Sequence, residues 1–255
     1  MDMIGSLMIA LAMYSVIPMP QITWNEARLK YVMAFFPVVG IVIGGAVAGT
    51  AFLTAGLGLS KVFFACLATV LPLLLTGGIH MDGFLDTVDA LSSHKERECK
   101  LEILKDPHVG AFAVIGGGIY LLLSVAGYCE LESRVAVAFG GIFVFSRAFS
   151  GWALLTWKKA RKDGLASTFS DGAKANPVKA MLLLWMAAAA VWVAVFGGPV
   201  ILLSCVLAAV LIGAGYYRTA MKEFGGITGD LAGYFLQRCE LGLLWAVIIA
   251  GRWLR

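Results

Sequence analysis

From Tyr31 to Leu254 the chain is a succession of apolar runs, each about fourteen to twenty-seven residues long, separated by a few polar loops. Runs of that length match the hydrocarbon thickness of a bilayer, which takes about twenty helical residues to cross. Hydrocarbon offers no partner to a free peptide group, so such runs fold as helices whose backbone bonds are satisfied internally. The spans are expected at about Tyr31–Leu57, Val62–Thr76, Ala111–Cys129, Val135–Trp157, Ala180–Phe196, Val200–Tyr217 and Leu241–Leu254. Gly197-Gly198-Pro199 reads as a tight turn between the fifth and sixth. The apolar stretch Met3–Ile17 is short for a crossing, and spanning, re-entrant and interfacial placements all stay open for it. The expected fold is therefore all-α: a polytopic membrane helical bundle of one domain over residues 1–255, with about seven transmembrane helices and one marginal N-terminal helix. Composition agrees, since only 14% of residues are charged, against about 25% in ordinary soluble domains.

Charge placement orients this map. The loops 18–30, 78–110, 158–179 and 218–240 fall on one side and carry fifteen of the twenty Lys and Arg residues. Short loops rich in Lys and Arg stay in the cytoplasm, so this face is expected there. The N-terminus lacks the basic region and small-residue site of a cleavable signal peptide. Five scattered cysteines show no CxxC spacing, so neither a zinc site nor a disulfide framework is expected. The net charge of +4 is modest, and no nucleic-acid partner is expected.

Within the second polar loop, Gly77–Asp89 reads GGIHMDGFLDTVD and packs His80, Asp82, Asp86 and Asp89 into ten residues. Spacings of four and three put the three carboxylates on one face of a helix. Anions this close raise one another's pKa unless a cation sits among them. A hard divalent cation with oxygen ligands, Mg²⁺ first, is the simplest neutraliser. Gly83 and the Gly77-Gly78 pair suggest close approach of something bulky, such as a phosphate chain. A solvated acidic loop is the plainer alternative.

Three further groups share that face. Lys105 and Asp106 precede the helix-breaking Pro107 and Gly110 at the mouth of a span, where Lys105 serves either as a point charge for phosphate or as an interfacial side chain. Arg147 lies about ten residues from either end of its span, and a charge so placed needs a cavity or a partner. A phosphate or one of the aspartates would satisfy it. The stretch Lys222–Asp230, KEFGGITGD, has the composition of a phosphate or metal cradle through Gly225, Gly226, Thr228 and Asp230. Arg238 and Glu240 add charge near the last span. The basic loop after Trp157 is explained by topology alone, and its GLASTF stretch is a candidate cover over an anionic substrate.

GGIHMDGFLDTVDALSS, LEILKDPHVGAFAV, the span arginine and GGITGDLAGYFLQRCELGLL, taken together and in this order, resemble the cobalamin synthase family, the adenosylcobinamide-GDP ribazoletransferases. PMPQITW followed by FFPVVGIVIG resembles the family's opening, so the likeness covers nearly the whole chain; Ala111-Phe112-Ala113 stands where a Gly-rich version is common. The resemblance implies a membrane phosphotransferase that uses Mg²⁺, joins adenosylcobinamide-GDP to α-ribazole or α-ribazole 5′-phosphate, and releases GMP. It implies the cytoplasmic membrane of a bacterium or archaeon, with the site on the cytoplasmic side and the lipid bilayer as surroundings; a homo-oligomer stays open. On this reading Asp82, Asp86 and Asp89 hold the metal, and a carboxylate or His80 takes a proton from the ribazole hydroxyl. Lys105 and Arg147 steady the transferring phosphoryl group, with Gly83, Asp106, Lys222, Gly225, Gly226, Thr228 and Asp230 binding substrate.

Two other classes share some of these features. A phospholipid-type CDP-alcohol phosphotransferase carries Ala-Arg after its Asp-Gly, where this chain has Phe84-Leu85. A divalent-cation transporter would set its carboxylates in mid-span rather than at a loop–span boundary.

Overall fold

A computed structural model of the chain describes residues 3–161 and 175–253. The GLASTF stretch therefore lies outside the described residues. In chain order the helices are α1 (Met3–Tyr14), α2 (Glu26–Leu29), α3 (Val32–Gly56), α4 (Lys61–Thr76), α5 (Ile79–Ser92), α6 (Arg97–Ile103), α7 (Ala111–Glu130), α8 (Ser133–Thr156), α9 (Ala175–Thr219) and α10 (Gly229–Trp253), with a π-helical turn at Ala220–Phe224. Among the described residues, five helical stretches are long and apolar enough to cross a membrane: Val32–Gly56, Ala111–Glu130, Val135–Thr156, Asn176–Phe224 and Gly229–Trp253. The bent pair α4–α5 makes up to six if it counts as one broken span.

Asn176–Phe224 is 49 residues long, more than twice what one crossing needs. It breaks at Gly198, whose φ of 83° and ψ of 173° are not helical, one residue before Pro199. This is the turn that the glycines and proline predict. The two arms fold back along α8. Leu182 packs by Gly151 and Trp192 by Gly141, so the first arm runs antiparallel to α8. In the second arm Gly213 meets Phe149 and Tyr216 meets Trp157, so the chain returns in α8's own direction.

The centre of the bundle is the crossing of α3 and α8. A methyl group at Gly40 would overlap the Phe143 carbonyl, and one at Gly44 would overlap Gly140. Small residues four apart let two backbones meet where lipid gives no hydrophobic drive for association. Ile43, Val47, Phe139 and Phe143 are buried around this contact. Exposed leucines such as Leu122, Leu184 and Leu211 face outward, where hydrocarbon would receive them. The short α1 packs on α3 and brings the Tyr14 ring to 4.4 Å from Phe36.

Two segments differ from the sequence expectation. The polar loop 78–110 is mostly α5 and α6. The loop 218–240 ends at Gly229, where α10 starts, twelve residues before the expected span. Asp230, Arg238 and Glu240 are therefore helical. Their polarity hides the helix from a hydropathy reading, and Thr228 supplies the start signal by accepting from Leu231 N at 3.2 Å.

Candidate active site

Gly77 and Gly78 end α4 with φ of 62° and 76°, values that side chains other than glycine rarely adopt. The chain turns 97° there, so α5 leaves the line of α4 and lies on the first turns of α7 and α10. His80, Gly83, Phe84, Thr87 and Ala90 form its buried face. Asp82 is exposed, and Asp86 and Asp89 are half-buried.

Contact between α5 and α10 depends on two glycines. A Cβ on Gly83 would lie 2.7 Å from the Asp230 carbonyl oxygen, and one on Gly233 would lie 2.7 Å from that of His80. The room the sequence reserves at Gly83 for a phosphate chain is thus filled by the backbone of α10. The same crossing adds Asp230 to the acidic group. Burial pushes the Asp86 carboxyl up to about 6, and the charges of Asp82, Asp230 and Asp89 add to the effect. Asp82 also lines an open cavity of about 480 Å³ with Leu73, Gly77, Gly78, Ile79, Met81 and Leu85. One carboxylate on an apolar wall suits an amphiphilic ligand whose anionic group would reach it through a bound cation.

Asp89 has a second task. Its carboxylate accepts from Gly110 N at 2.5 Å and Ala113 N at 2.8 Å, and so caps the start of α7. Among the described residues no three His, Cys, Asp or Glu side chains gather closely enough to hold a metal ion. The donors are nevertheless hard oxygens in a crowded anionic group. Mg²⁺ commonly takes one or two carboxylates and completes its shell with water and substrate phosphates. Asp82 and Asp86 fit that use without a full protein cage.

His80 is set apart from the carboxylates. At about 100° per residue it points roughly opposite to Asp82. Its ring lies 6.1 Å from Tyr14 and 5.6 Å from Phe36, and Nε2 has no hydrogen-bond partner among the described residues. Lys105 and Asp106 are exposed between α6 and α7. Asp106 accepts from His108 N at 3.0 Å and pairs with its Nδ1 at 2.6 Å. The backbone N–H of His108 holds the Asp106 carboxyl below the usual range.

The glycine-rich stretch builds the entry to α10. Lys222 is exposed and lies 3.5 Å from Glu223, which Lys100 binds at 2.5 Å. Gly225 has a φ of 74°. Gly226 lies against the backbone of Lys158–Ala160, and Ile227 makes a parallel bridge with Lys159. Thr228 donates to Asp230 Oδ2 at 3.3 Å. Gly225, Gly226 and Thr228 thereby position Asp230.

Arg147 finds neither an aspartate nor open space. Its Nη1 donates to Glu240 Oε1, to Ser146 Oγ and to the Phe143 carbonyl. Glu240 is ten residues past Asp230, about 15 Å further along α10. The sequence reading missed Glu240 as this partner. The available signal was balance, since one charge buried in a span calls for an opposite one. A larger cavity of about 620 Å³ lies between α8 and the arms of α9, but its lining, including Phe149, Trp152 and Val193, is apolar.

Comparison with known proteins fits this arrangement to a family. Residues 6–248 match the family model described as cobalamin-5-phosphate synthase. The chain belongs to the cobalamin-5-phosphate synthase family. Relatives named adenosylcobinamide-GDP ribazoletransferase are similar over almost their full lengths. That of Lachnoclostridium phytofermentans is 41% identical over 254 residues, covering 98% of this chain and 95% of the relative. That of Clostridium perfringens strain 13 is 34% identical, with 94% and 96% covered. That of Geobacillus kaustophilus is 32% identical, with 94% of each covered. No solved structure matches the chain. For this member of the cobalamin-5-phosphate synthase family, the described structure therefore supplies the geometry: an acidic helix face, an elbow that presents it and a second helix that adds Asp230.

Proposed function

We propose that this protein is an integral membrane transferase that joins adenosylcobinamide-GDP to α-ribazole or α-ribazole 5′-phosphate. The products are adenosylcobalamin or its 5′-phosphate and GMP, in the last assembly step of the cobalamin nucleotide loop. Full-length likeness to relatives bearing that enzyme name, at up to 41% identity, carries the reading. The acidic face of α5 supports it as the place of chemistry.

The reaction exchanges a phosphoanhydride bond for a phosphoester bond. The ribazole hydroxyl forms a bond to the corrinoid-side phosphorus, the bond to the GMP oxygen breaks, and one proton is released. Asp82 and Asp86 would hold Mg²⁺, which neutralises pyrophosphate charge and the developing charge on GMP. Asp230 extends the anionic face from α10. The hydroxyl proton goes to a carboxylate of this face rather than to His80, which is enclosed by Tyr14 and Phe36. Asp89 fixes α5 to α7, and Arg147 with Glu240 holds α8 to α10 beneath the site. The cavity beside Asp82 offers the corrinoid an apolar wall. The Lys and Arg count of the loops supports a cytoplasmic position for this face.

The test is the purified protein in lipid with GDP-cobinamide, α-ribazole and Mg²⁺. GMP release that depends on ribazole is expected. A folded, lipid-embedded protein that forms no cobalamin product would contradict the reading.

A further inference from the structure

The geometry points to Arg161, on the strap that lies against the start of α10, as a binding residue for the diphosphate of the substrate. The assignment rests on the transferase reading for the identity of that diphosphate, while its geometry is independent. After α8 the chain runs as an extended strap onto the start of α10. Ile227 N donates to Lys158 O at 2.8 Å, and Ala160 N donates to Ile227 O at 3.0 Å. Gly226 makes this possible, because a methyl there would overlap the Lys159 and Ala160 backbone. Arg161 follows the last bridged residue directly, so its backbone is fixed beside Thr228 and Asp230.

Its guanidinium is underused. Nη2 of Arg161 is buried and has no hydrogen-bond partner among the described residues. A guanidinium carries five donors and is strongly disfavoured when one is buried unpaired. Nη2 makes no hydrogen bond to the Asp230 carboxylate, although the strap sets Arg161 beside the start of α10. Several neighbouring cations are engaged: Lys100 with Glu223, Arg97 with the Lys222 carbonyl and Arg238 with the Tyr234 hydroxyl. Arg161 thus brings an uncommitted donor to the edge of the acidic face. A planar two-pronged donor suits the non-bridging oxygens of a diphosphate, and the nearby carboxylates would hold the Mg²⁺ that accompanies it.

The probe is magnesium pyrophosphate, titrated calorimetrically into the full chain in lipid nanodiscs, so no turnover is needed. Wild type, Arg161→Gln and Arg161→Lys are compared, with Lys61→Gln at the other end of α4 as control. Arg161→Gln is expected to weaken binding at least tenfold, Arg161→Lys to recover part of it, and Lys61→Gln to match wild type. Unfolding temperatures without ligand separate binding from structure. Removing an unpaired buried donor should leave Arg161→Gln as heat-stable as wild type. Equal pyrophosphate affinity in wild type and Arg161→Gln, no binding to wild type, or a marked loss of heat stability in Arg161→Gln each overturns the assignment. GMP release by the same wild-type preparation is scored separately. If pyrophosphate binds through Arg161 but no transfer occurs, the transferase reading falls and the anion site stands.

Discussion

Arg147 on α8 donates through Nη1 to Oε1 of Glu240 on α10, and the two side chains are only 2% and 6% exposed. Removing one partner leaves the other charge buried alone, at a cost of about 3–5 kcal/mol, whereas replacing both with apolar residues of similar volume is often tolerated. Glu240→Gln should therefore lower the unfolding temperature markedly, and Arg147→Met with Glu240→Leu should recover most of the loss. A double-mutant cycle of thermal unfolding in detergent checks this. Transfer by the folded double variant is expected within a few-fold of wild type. Loss of transfer in that folded variant would place Arg147 in the chemistry.

The α5–α10 crossing makes a second prediction. Gly83→Ala and Gly233→Ala each force a methyl into opposing backbone, at about 1–3 kcal/mol. Both should also slow transfer about tenfold or more, because Asp230 is moved away from Asp86. Gly45→Ala is the control, since nothing lies within 4 Å of a Cβ there. Unfolding temperature and transfer rate, measured on the same preparations, decide the point.

Asp89 should separate from its neighbours. Asp89→Ala removes the acceptor for Gly110 and Ala113 and should destabilise by about 1 kcal/mol, the usual cost of losing a helix cap. Asp89→Asn keeps one oxygen acceptor and should reduce transfer by about tenfold. A loss as deep as that from Asp82→Asn would make Asp89 a direct participant.

How legible all this was varies with the interaction. The carboxylates at 82, 86 and 89 share a face because helical spacing is local, and the Gly198 break follows from Gly-Gly-Pro. The start of α10 was hidden because Asp230, Arg238 and Glu240 depress its hydropathy while tertiary partners support it. The Arg147–Glu240 pair spans 93 residues of sequence, and no local pattern specifies it. Gly83 announced a close approach, but to the backbone of α10 and not to the phosphate chain expected there. His80 was grouped with the aspartates by proximity in sequence, although the helical wheel turns it to the other side.

Asp86 gives a pH signature. Its carboxyl is raised from 3.8 to about 6, so between these values the unfolded chain releases a proton that the folded one keeps. Its stabilising contribution is present below about pH 4 and is lost as pH rises through about 6. In chelator, the unfolding temperature should fall across that window, and Asp86→Asn should flatten this part of the fall. Mg²⁺ at pH 7 should restore heat stability in wild type more than in Asp86→Asn.

The most direct measurement is GMP release and cobalamin formation by Asp82→Asn and Asp86→Asn beside wild type, each in lipid with GDP-cobinamide, α-ribazole and Mg²⁺. Wild type should form one cobalamin product per GMP, with release dependent on ribazole. Each variant should lose about 100-fold or more of the rate while keeping its helical content and a monodisperse elution profile. Turnover within a few-fold of wild type in both variants would contradict the assignment of transfer to the acidic face of α5.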